Sequence, residues 1–232
     1  MRRLFMLALL CAVTGDAASS YVQSNSTRAA SPVALAFGSN NAAAGLIVFC
    51  ATNESSNTHT FSTPTDTRGN TYYGINTVGS ALGMLSVMYY AWNVGAGPNT
   101  VTVSATAGDT MDVFVSEYSG AVSMTYPLNQ TGNLLQNANN ISIGPVMTTV
   151  ANELIVSLSV TNGSRTAGPG FTMRQVQVWN IYVVLEDNSG NLTGGPGSYS
   201  ATYGNNSGVF GGIMATFEPP AAAGSIPVRI LN

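Results

Sequence analysis

The sequence predicts an all-β protein that folds as a single antiparallel β-sandwich, jelly-roll-like, with about a dozen strands. Apolar and polar residues alternate over short segments, turn-forming residues separate these segments, and no segment after the N-terminus has apolar residues at helical spacing. In residues 152–161, for example, Leu154, Val156, Leu158 and Val160 occupy every second position. This alternation is typical of antiparallel strands with one face buried.

The same criteria predict further strands along the chain. Clusters such as Gly95–Asn99 and Asp187–Asn191 separate them, because Gly, Asn, Asp and Pro favour turns. Closely spaced short strands indicate a sandwich or a closed barrel, and no second domain or regular repeat is apparent. The strand segments predicted in this way are Pro32–Phe37, Gly45–Thr52, Thr71–Thr77, Met84–Asn93, Asn99–Ala105, Met111–Ser119, Asn152–Thr161, Phe171–Val178, Ile181–Glu186, Tyr199–Tyr203 and Val209–Phe217.

The N-terminus has the pattern of a secretory signal peptide. Two arginines precede an apolar stretch from Leu4 to Val13, and small residues follow up to Ala18. A transmembrane anchor would need about 20 apolar residues, which is longer than this stretch. We therefore expect a signal peptide over 1–18, a sandwich domain over 19–218, and a Pro/Ala linker with a short tail over 219–232. A secreted or cell-surface location follows.

Cysteine content and charge exclude several classes of protein. Cleavage of the signal would remove Cys11 and leave Cys50 alone, so no internal disulfide is expected. Only 7% of the residues are charged, and the formal net charge is −3. The basic surface of a nucleic-acid-binding protein is therefore absent.

Seven short segments along the chain carry a resemblance to known proteins. They are Asp66–Tyr72 (DTRGNTY), Asn99–Val103 (NTVTV), Glu117–Gly120 (EYSG), Pro127–Leu128 (PL), Asn152–Leu154 (NEL), Gly168–Thr172 (GPGFT) and Ala215–Phe217 (ATF). Taken in order, these segments resemble a widespread family of bacterial secreted β-sandwich domains, which has no established activity. The resemblance implies an extracellular location and a sandwich fold, and it transfers no catalytic residue.

Two glutamates are the candidates for acid catalysis on a polysaccharide. Such a reaction needs two carboxylates about 5 to 9.5 Å apart. Glu117 shares a strand face with apolar residues, and burial would raise its pKa as a general acid requires; Glu186 could supply the second carboxylate from another strand. The alternative, which we favour, is that Glu117 lies at the end of its strand and binds backbone N–H groups of the turn Tyr118–Gly120.

Metal binding is restricted by a single histidine, His59, which excludes a histidine-rich site within one chain. The sequence indicates no cofactor, and structural calcium is the one candidate ion. Oxygen ligands are available from Asp66 with Asn70 and from Asp187 with Asn191, in turns that contain glycine. The same residues also form ordinary Asx turns, so both interpretations stay open.

Aromatic residues provide the candidate ligand-binding surface. Tyr90 and Trp92 lie on one face of their predicted strand. Trp179 directly follows the predicted strand Phe171–Val178, and Tyr182 lies in the next predicted strand, Ile181–Glu186. Exposed rings of this kind can stack on pyranose faces, whereas packing in the core is the alternative for each ring. The opposite face of the same strand is also apolar, which indicates either a strand buried on both faces or a binding floor.

These observations favour an extracellular, non-catalytic module that binds carbohydrate or another cell-surface polymer. A second possibility is a self-assembling surface or filament subunit, in which strand-like segments at Ser20–Ser24 or Ile226–Leu231 complete the sheet of a neighbour. A third is a polysaccharide-active hydrolase or lyase built around Glu117.

Overall fold

The computed structural model describes residues 18–54, 58–80, 83–106, 108–120, 126–137, 141–204 and 209–219. These residues form sixteen β-strands in antiparallel sheets and no helix, which confirms the prediction of an all-β antiparallel sandwich. Within these ranges, no helical segment of sufficient length and hydropathy to cross a bilayer occurs. The predicted signal peptide, apart from Ala18, and the tail from residue 220 onwards lie outside the described residues.

The strands are β1 Ser20–Ala30, β2 Val33–Ala36, β3 Leu46–Asn53, β4 Thr65–Asp66, β5 Tyr73–Gly79, β6 Leu85–Trp92, β7 Thr100–Val103, β8 Thr110–Ser119, β9 Leu128–Asn137, β10 Ile141–Thr148, β11 Leu154–Thr161, β12 Thr166–Ala167, β13 Thr172–Val178, β14 Tyr182–Asp187, β15 Gly197–Gly204 and β16 Val209–Phe217.

Four sheets make up the fold. Two five-stranded sheets, which we call inner sheet 1 (order β1-β8-β3-β6-β5) and inner sheet 2 (order β13-β14-β11-β16-β9), pack against each other. Outer sheet 1 (β2-β7-β4) covers inner sheet 1, and outer sheet 2 (β10-β15-β12) covers inner sheet 2. The sandwich thus has four layers.

Three hydrophobic cores separate the four layers. Alternate residues of each inner strand enter different cores, as the two-residue repeat of a strand requires. In β3, Val48 enters the central core between the inner sheets, whereas Phe49 enters the core beneath outer sheet 1. Because both faces are covered, every residue of β3 and β11 is buried, and their sequences contain apolar runs such as Leu46–Cys50.

The two halves of the described chain have the same topology. Adding eight to each strand number of inner sheet 1 and outer sheet 1 gives the strand orders of inner sheet 2 and outer sheet 2. The expectation that the chain lacks a regular repeat is therefore wrong at the level of topology. The sequence conceals the repeat because most equivalent positions differ in residue type.

Backbone irregularities repeat at equivalent positions as well. Between β1 and β8 the register skips Val22, and between β9 and β16 it skips Asn129 at the corresponding place. The bulge at Ile75 in β5 recurs at Arg174 in β13. β-Bulges re-aim strands and disrupt pairing locally, so two shared bulges are independent evidence that the halves are structural equivalents.

The two halves also have the same backbone conformation just before their central strands, β3 and β11. Ala44 has φ 59° and Asn152 has φ 61°, and each lies two residues before the Leu-Ile-Val start of β3 or β11. A left-handed conformation is uncommon for residues other than glycine. The equivalence aligns Leu46 with Leu154.

Five described strands were not predicted from the sequence. β1 and β9 are polar edge strands with half-exposed side chains, so they lack clear alternation, and β4 and β12 have only two residues each. In β10, Gly144 and Pro145 interrupt the pattern. Residues Ser20–Ser24 belong to β1 and pair with β8 of the same chain, so this segment is not a free strand. Ile226–Leu231 lie outside the described residues.

Candidate functional site

Four aromatic side chains form a continuous cluster, which we call the aromatic platform: Tyr73, Tyr90, Trp92 and Tyr126. The ring centroids of Tyr73 and Trp92 are 4.6 Å apart, and those of Tyr90 and Trp92 are 5.5 Å apart with an interplanar angle of 23°. Tyr126 lies 6.1 Å from Trp92. These separations lie in the range of favourable aromatic pairing.

The platform extends from the central core to the surface. Tyr90 is buried and packs edge-on against Phe217 of inner sheet 2 at 5.6 Å. Trp92, at the end of β6, is half-buried, whereas Tyr73 is 41% exposed and Tyr126 is 70% exposed. Most of β6 is therefore buried on both faces, as one of the two sequence-based alternatives states, and its last residue, Trp92, is only half-buried.

A cleft of about 310 Å³ opens beside the platform. Its lining consists of Tyr73 and Trp92 together with small or amide-bearing residues of two loops. Asn93, which follows Trp92, has φ 53°, and asparagine tolerates this left-handed conformation better than most residues. The remaining lining residues are Gly69, Asn70 and Thr71.

Asp66 fixes the shape of the turn that forms one wall of this cleft. Its carboxylate accepts hydrogen bonds from the backbone N–H groups of Arg68 and Asn70, at 3.1 and 3.0 Å. The Nδ2 groups of Asn70 and Asn99 donate at 2.8 and 3.0 Å, and the Tyr72 hydroxyl donates at 3.0 Å. Burial opposes the charged form, but these donors outweigh it and lower the pKa of Asp66.

At the first candidate calcium site, Asp66 with Asn70, hydrogen-bond donors surround the Asp66 carboxylate. Asn70 directs its Nδ2 group at Asp66, so its amide acts there as a donor. At the second candidate site, Arg174 binds the buried carboxylate of Asp187, with Nε to Oδ2 at 2.7 Å. Asn191 lines a cleft whose lining does not include Asp187. Among the described residues, no group of three or more His, Cys, Asp or Glu could hold a metal ion.

Glu117 is fully buried and serves as an acceptor for three donors. Gln23 Nε2 donates to it at 2.6 Å, Asn41 Nδ2 at 2.8 Å, and the backbone N–H of Ala42 at 2.6 Å. These contacts join β1 to the loop that leads into β3. The geometry is that of a structural carboxylate, but the only backbone N–H among these donors belongs to Ala42, so the expectation of donors from the turn Tyr118–Gly120 is wrong.

Glu186 is fully buried between inner sheet 2 and outer sheet 2. The backbone N–H of Gly168 donates to its Oε2 at 3.4 Å, and Oε1 has no hydrogen-bond partner among the residues that the structure describes. Burial raises the pKa of Glu186 to about 8, and the nearby charge of Asp187 acts in the same direction.

Glu117 and Glu186 do not form a pair. Glu117 lies beside Ile47, which faces outer sheet 1, whereas Glu186 lies on the face of inner sheet 2 that is turned towards outer sheet 2. The two carboxylates are thus on opposite outer faces of two stacked sheets, and stacked sheets are about 10 Å apart. The separation that glycoside hydrolysis requires is not met.

The other two aromatic candidates lie away from the platform. Trp179, in the turn between β13 and β14, is 63% exposed, and the guanidinium of Arg28 lies 4.7 Å from its ring centroid. Tyr182 is half-buried against the core beneath outer sheet 2. The sequence therefore located two residues of the platform, Tyr90 and Trp92, and missed Tyr73 and Tyr126.

Two further clefts occur among the described residues, with volumes of about 520 and 330 Å³. No Asp or Glu lines either of them or the platform cleft. The comparisons with protein-family models, curated proteins and solved structures gave no match.

Proposed function

We propose that the protein is a secreted, non-catalytic module that binds a carbohydrate polymer through the aromatic platform and its cleft. The observation that carries this proposal is the convergence of Tyr73, Trp92 and Tyr126 at the surface, with the buried Tyr90 behind them. The platform and its cleft supply aromatic rings and neutral polar groups, which match the apolar faces and the hydroxyls of a sugar.

The rigidity of the platform supports binding. Tyrosine and tryptophan supply large contact areas with few rotatable bonds, so little conformational entropy is lost when a ligand binds. Tyr90 holds Trp92 from the core side, and Asp66 fixes the adjacent turn through its hydrogen bonds. A preorganised site of this kind reduces the cost of association.

The charge distribution supports a neutral contact surface. No acidic residue lines the platform cleft, and charged residues make up 7% of the sequence. Stacking and neutral hydrogen bonds act at close range, so the affinity for a neutral polysaccharide should change little between low salt and 0.15 M salt. The N-terminal signal pattern is consistent with an extracellular site of action.

Tryptophan fluorescence tests the proposal, because the chain contains only Trp92 and Trp179. In a Trp179→Phe background, Trp92 is the sole tryptophan, and titration with soluble neutral polysaccharides should change its emission. Tyr126→Ala should weaken the affinity by about tenfold without loss of stability, since this ring is 70% exposed. In the natural background, Trp179→Ala is the matched control and should leave binding unchanged.

The result that overturns the proposal is a lack of response to every polysaccharide, neutral or acidic. If the protein also forms polymers in a concentration-dependent manner on size exclusion, the self-assembly alternative would gain support. Equal loss of affinity in the Tyr126 and Trp179 variants would place the ligand elsewhere on the surface.

A further inference from the structure

The guanidinium group of Arg68 is exposed and has no partner among the described residues. Arg28 and Arg174 each bind a carboxylate, whereas Arg68 forms no ion pair and only its backbone N–H is hydrogen-bonded, to Asp66 at 3.1 Å. An arginine is permanently charged and has five donors in a planar fork. This group is therefore available to an anionic ligand.

The position of Arg68 is defined by two glycines in the loop between β6 and β7. A Cβ atom built on Gly97 would lie 3.4 Å from Arg68 Nη1, and one built on Gly95 would lie 3.6 Å from Nε. The guanidinium thus lies close to the backbone of Gly95 and of Gly97, the glycines on either side of Ala96. Asn70 Oδ1 accepts a hydrogen bond from the Gly95 N–H at 3.1 Å, which ties the loop to the turn that carries Arg68.

Arg68 and the residue that follows it line two different clefts. Arg68 lines the cleft of about 520 Å³ together with Ser39, Thr67 and Thr100, and the next residue, Gly69, lines the platform cleft. Neighbouring Cα atoms are about 3.8 Å apart. One extended chain could therefore contact the platform and Arg68 together, and no carboxylate in either lining competes for the guanidinium.

We propose that the polymer bound at the aromatic platform is an acidic polysaccharide, and that Arg68 binds the carboxylate of one of its uronate units. This inference rests on the proposed function and names the ligand class. A guanidinium can bind a carboxylate with two parallel hydrogen bonds, and a bond to a charged group is stronger than one between neutral groups. The neutral surfaces of the platform would hold the adjacent sugar rings.

The test compares acidic polysaccharides with their own carboxyl-reduced forms, in which each uronate has become a neutral hexose. Polygalacturonate, alginate and hyaluronan serve as three matched pairs, with Trp92 emission in the Trp179→Phe background as the readout. We expect at least one acidic polymer to bind about tenfold more tightly than its reduced form at low salt. Raising the salt to 0.15 M should reduce this preference because screening weakens exposed ionic contacts.

Two substitutions assign the preference to Arg68. Arg68→Gln should abolish the difference between the acidic and reduced forms and leave the affinity for the reduced form unchanged. Arg68→Lys keeps the charge but loses the planar fork, so it should retain only part of the preference. Both variants should fold normally, as circular dichroism would show, because the Arg68 side chain makes no hydrogen bond within the described structure.

The outcomes separate this inference from the proposed function. Binding of reduced and acidic forms with equal affinity would overturn the role of Arg68 and leave the platform as a neutral-sugar site. Failure of Trp92 to respond to any polymer would overturn both. An acidic preference that persists in Arg68→Gln would also refute the inference, because another cation would then be responsible.

Discussion

Glu186→Gln should stabilise the protein near neutral pH, although it alters a fully buried side chain. In the folded state, burial raises the pKa of Glu186 to about 8, so the side chain is a neutral acid at pH 7. One of its oxygens has no hydrogen-bond partner, and the other accepts a bond of 3.4 Å from Gly168. A glutamine has nearly the same shape and never ionises.

The magnitude follows from the two pKa values of Glu186. An unperturbed glutamate has a pKa of 4.5, so between pH 4.5 and 8 the folded protein holds a proton that the unfolded chain has released. Unfolding then releases a proton, and a rise in pH favours it. The contribution of Glu186 to stability is complete below pH 4.5 and decreases by about 1.4 kcal/mol per pH unit, or roughly 3 kcal/mol by pH 7.

Urea denaturation at several pH values measures this effect. The stability of Glu186→Gln minus that of the natural protein should be roughly constant below pH 4.5 and rise by roughly 3 kcal/mol between pH 4.5 and 7. Asp112, whose pKa burial raises to about 7, titrates in both proteins, so its contribution cancels in the difference. A difference that does not depend on pH, or that falls as the pH rises, would refute the reasoning.

Two other substitutions test the structural roles of single residues. Glu117→Gln replaces a carboxylate that accepts from three donors with an amide, so it should lower the free energy of unfolding by about 1 to 3 kcal/mol. Polysaccharide binding should stay unchanged. Urea denaturation measures the first effect, and titration followed by Trp92 emission measures the second. Gly168→Ala should strongly lower the melting temperature, because the new Cβ would overlap the carbonyl oxygen of Thr202. Gly190→Ala is the control: no atom lies within 4 Å of its Cβ, so it should change stability by about 0.5 kcal/mol or less. Equal melting temperatures for the two glycine variants would contradict this packing.

The sequence predicted the strands with alternating or continuously apolar residues and missed the polar edge strands and the strands of only two residues. Residues Leu154–Thr161 alternate and were assigned correctly, and the apolar run of β3 also indicated a buried strand. β1 and β9 lie at sheet edges, where half-exposed positions accept polar residues on both faces. Their strand structure depends on pairing with β8 and β16, which a local pattern does not record.

The internal repeat escaped detection because backbone geometry is retained where side chains differ. Phe49 and Ser157 are equivalent, because each directly follows the Leu-Ile-Val start of its strand, β3 or β11. Phe49 lies opposite Tyr89 on the neighbouring strand, and Ser157 lies opposite Glu186. Phe49 and Tyr89 pack edge to face at 6.3 Å in the first half. The second half has a hydroxyl and a carboxyl at the same two positions.

Only part of the candidate site could be found from the sequence, for a related reason. Tyr90 and Trp92 are two residues apart on one strand, so alternation alone places them on one face. Tyr73 reaches the platform because β5 pairs with β6 and brings it opposite Tyr90, and Tyr126 precedes β9. Such contacts follow from tertiary pairing, which the spacing of residues in the sequence does not reveal.

The aromatic platform lies on one side of the central core, and the repeat shows which residues occupy the equivalent positions on the other side. Tyr90 and Asp187 are equivalent positions, and each contacts an equivalent aromatic residue of the opposite inner sheet, Phe217 or Tyr118. Asp187 is fully buried, accepts a hydrogen bond from the Tyr118 hydroxyl at 2.9 Å and pairs with Arg174 at 2.7 Å, so that side is closed by an ion pair. The side of Tyr90 is filled by stacked rings that reach the surface, and on that side these rings would form a hydrophobic floor for the proposed polymer.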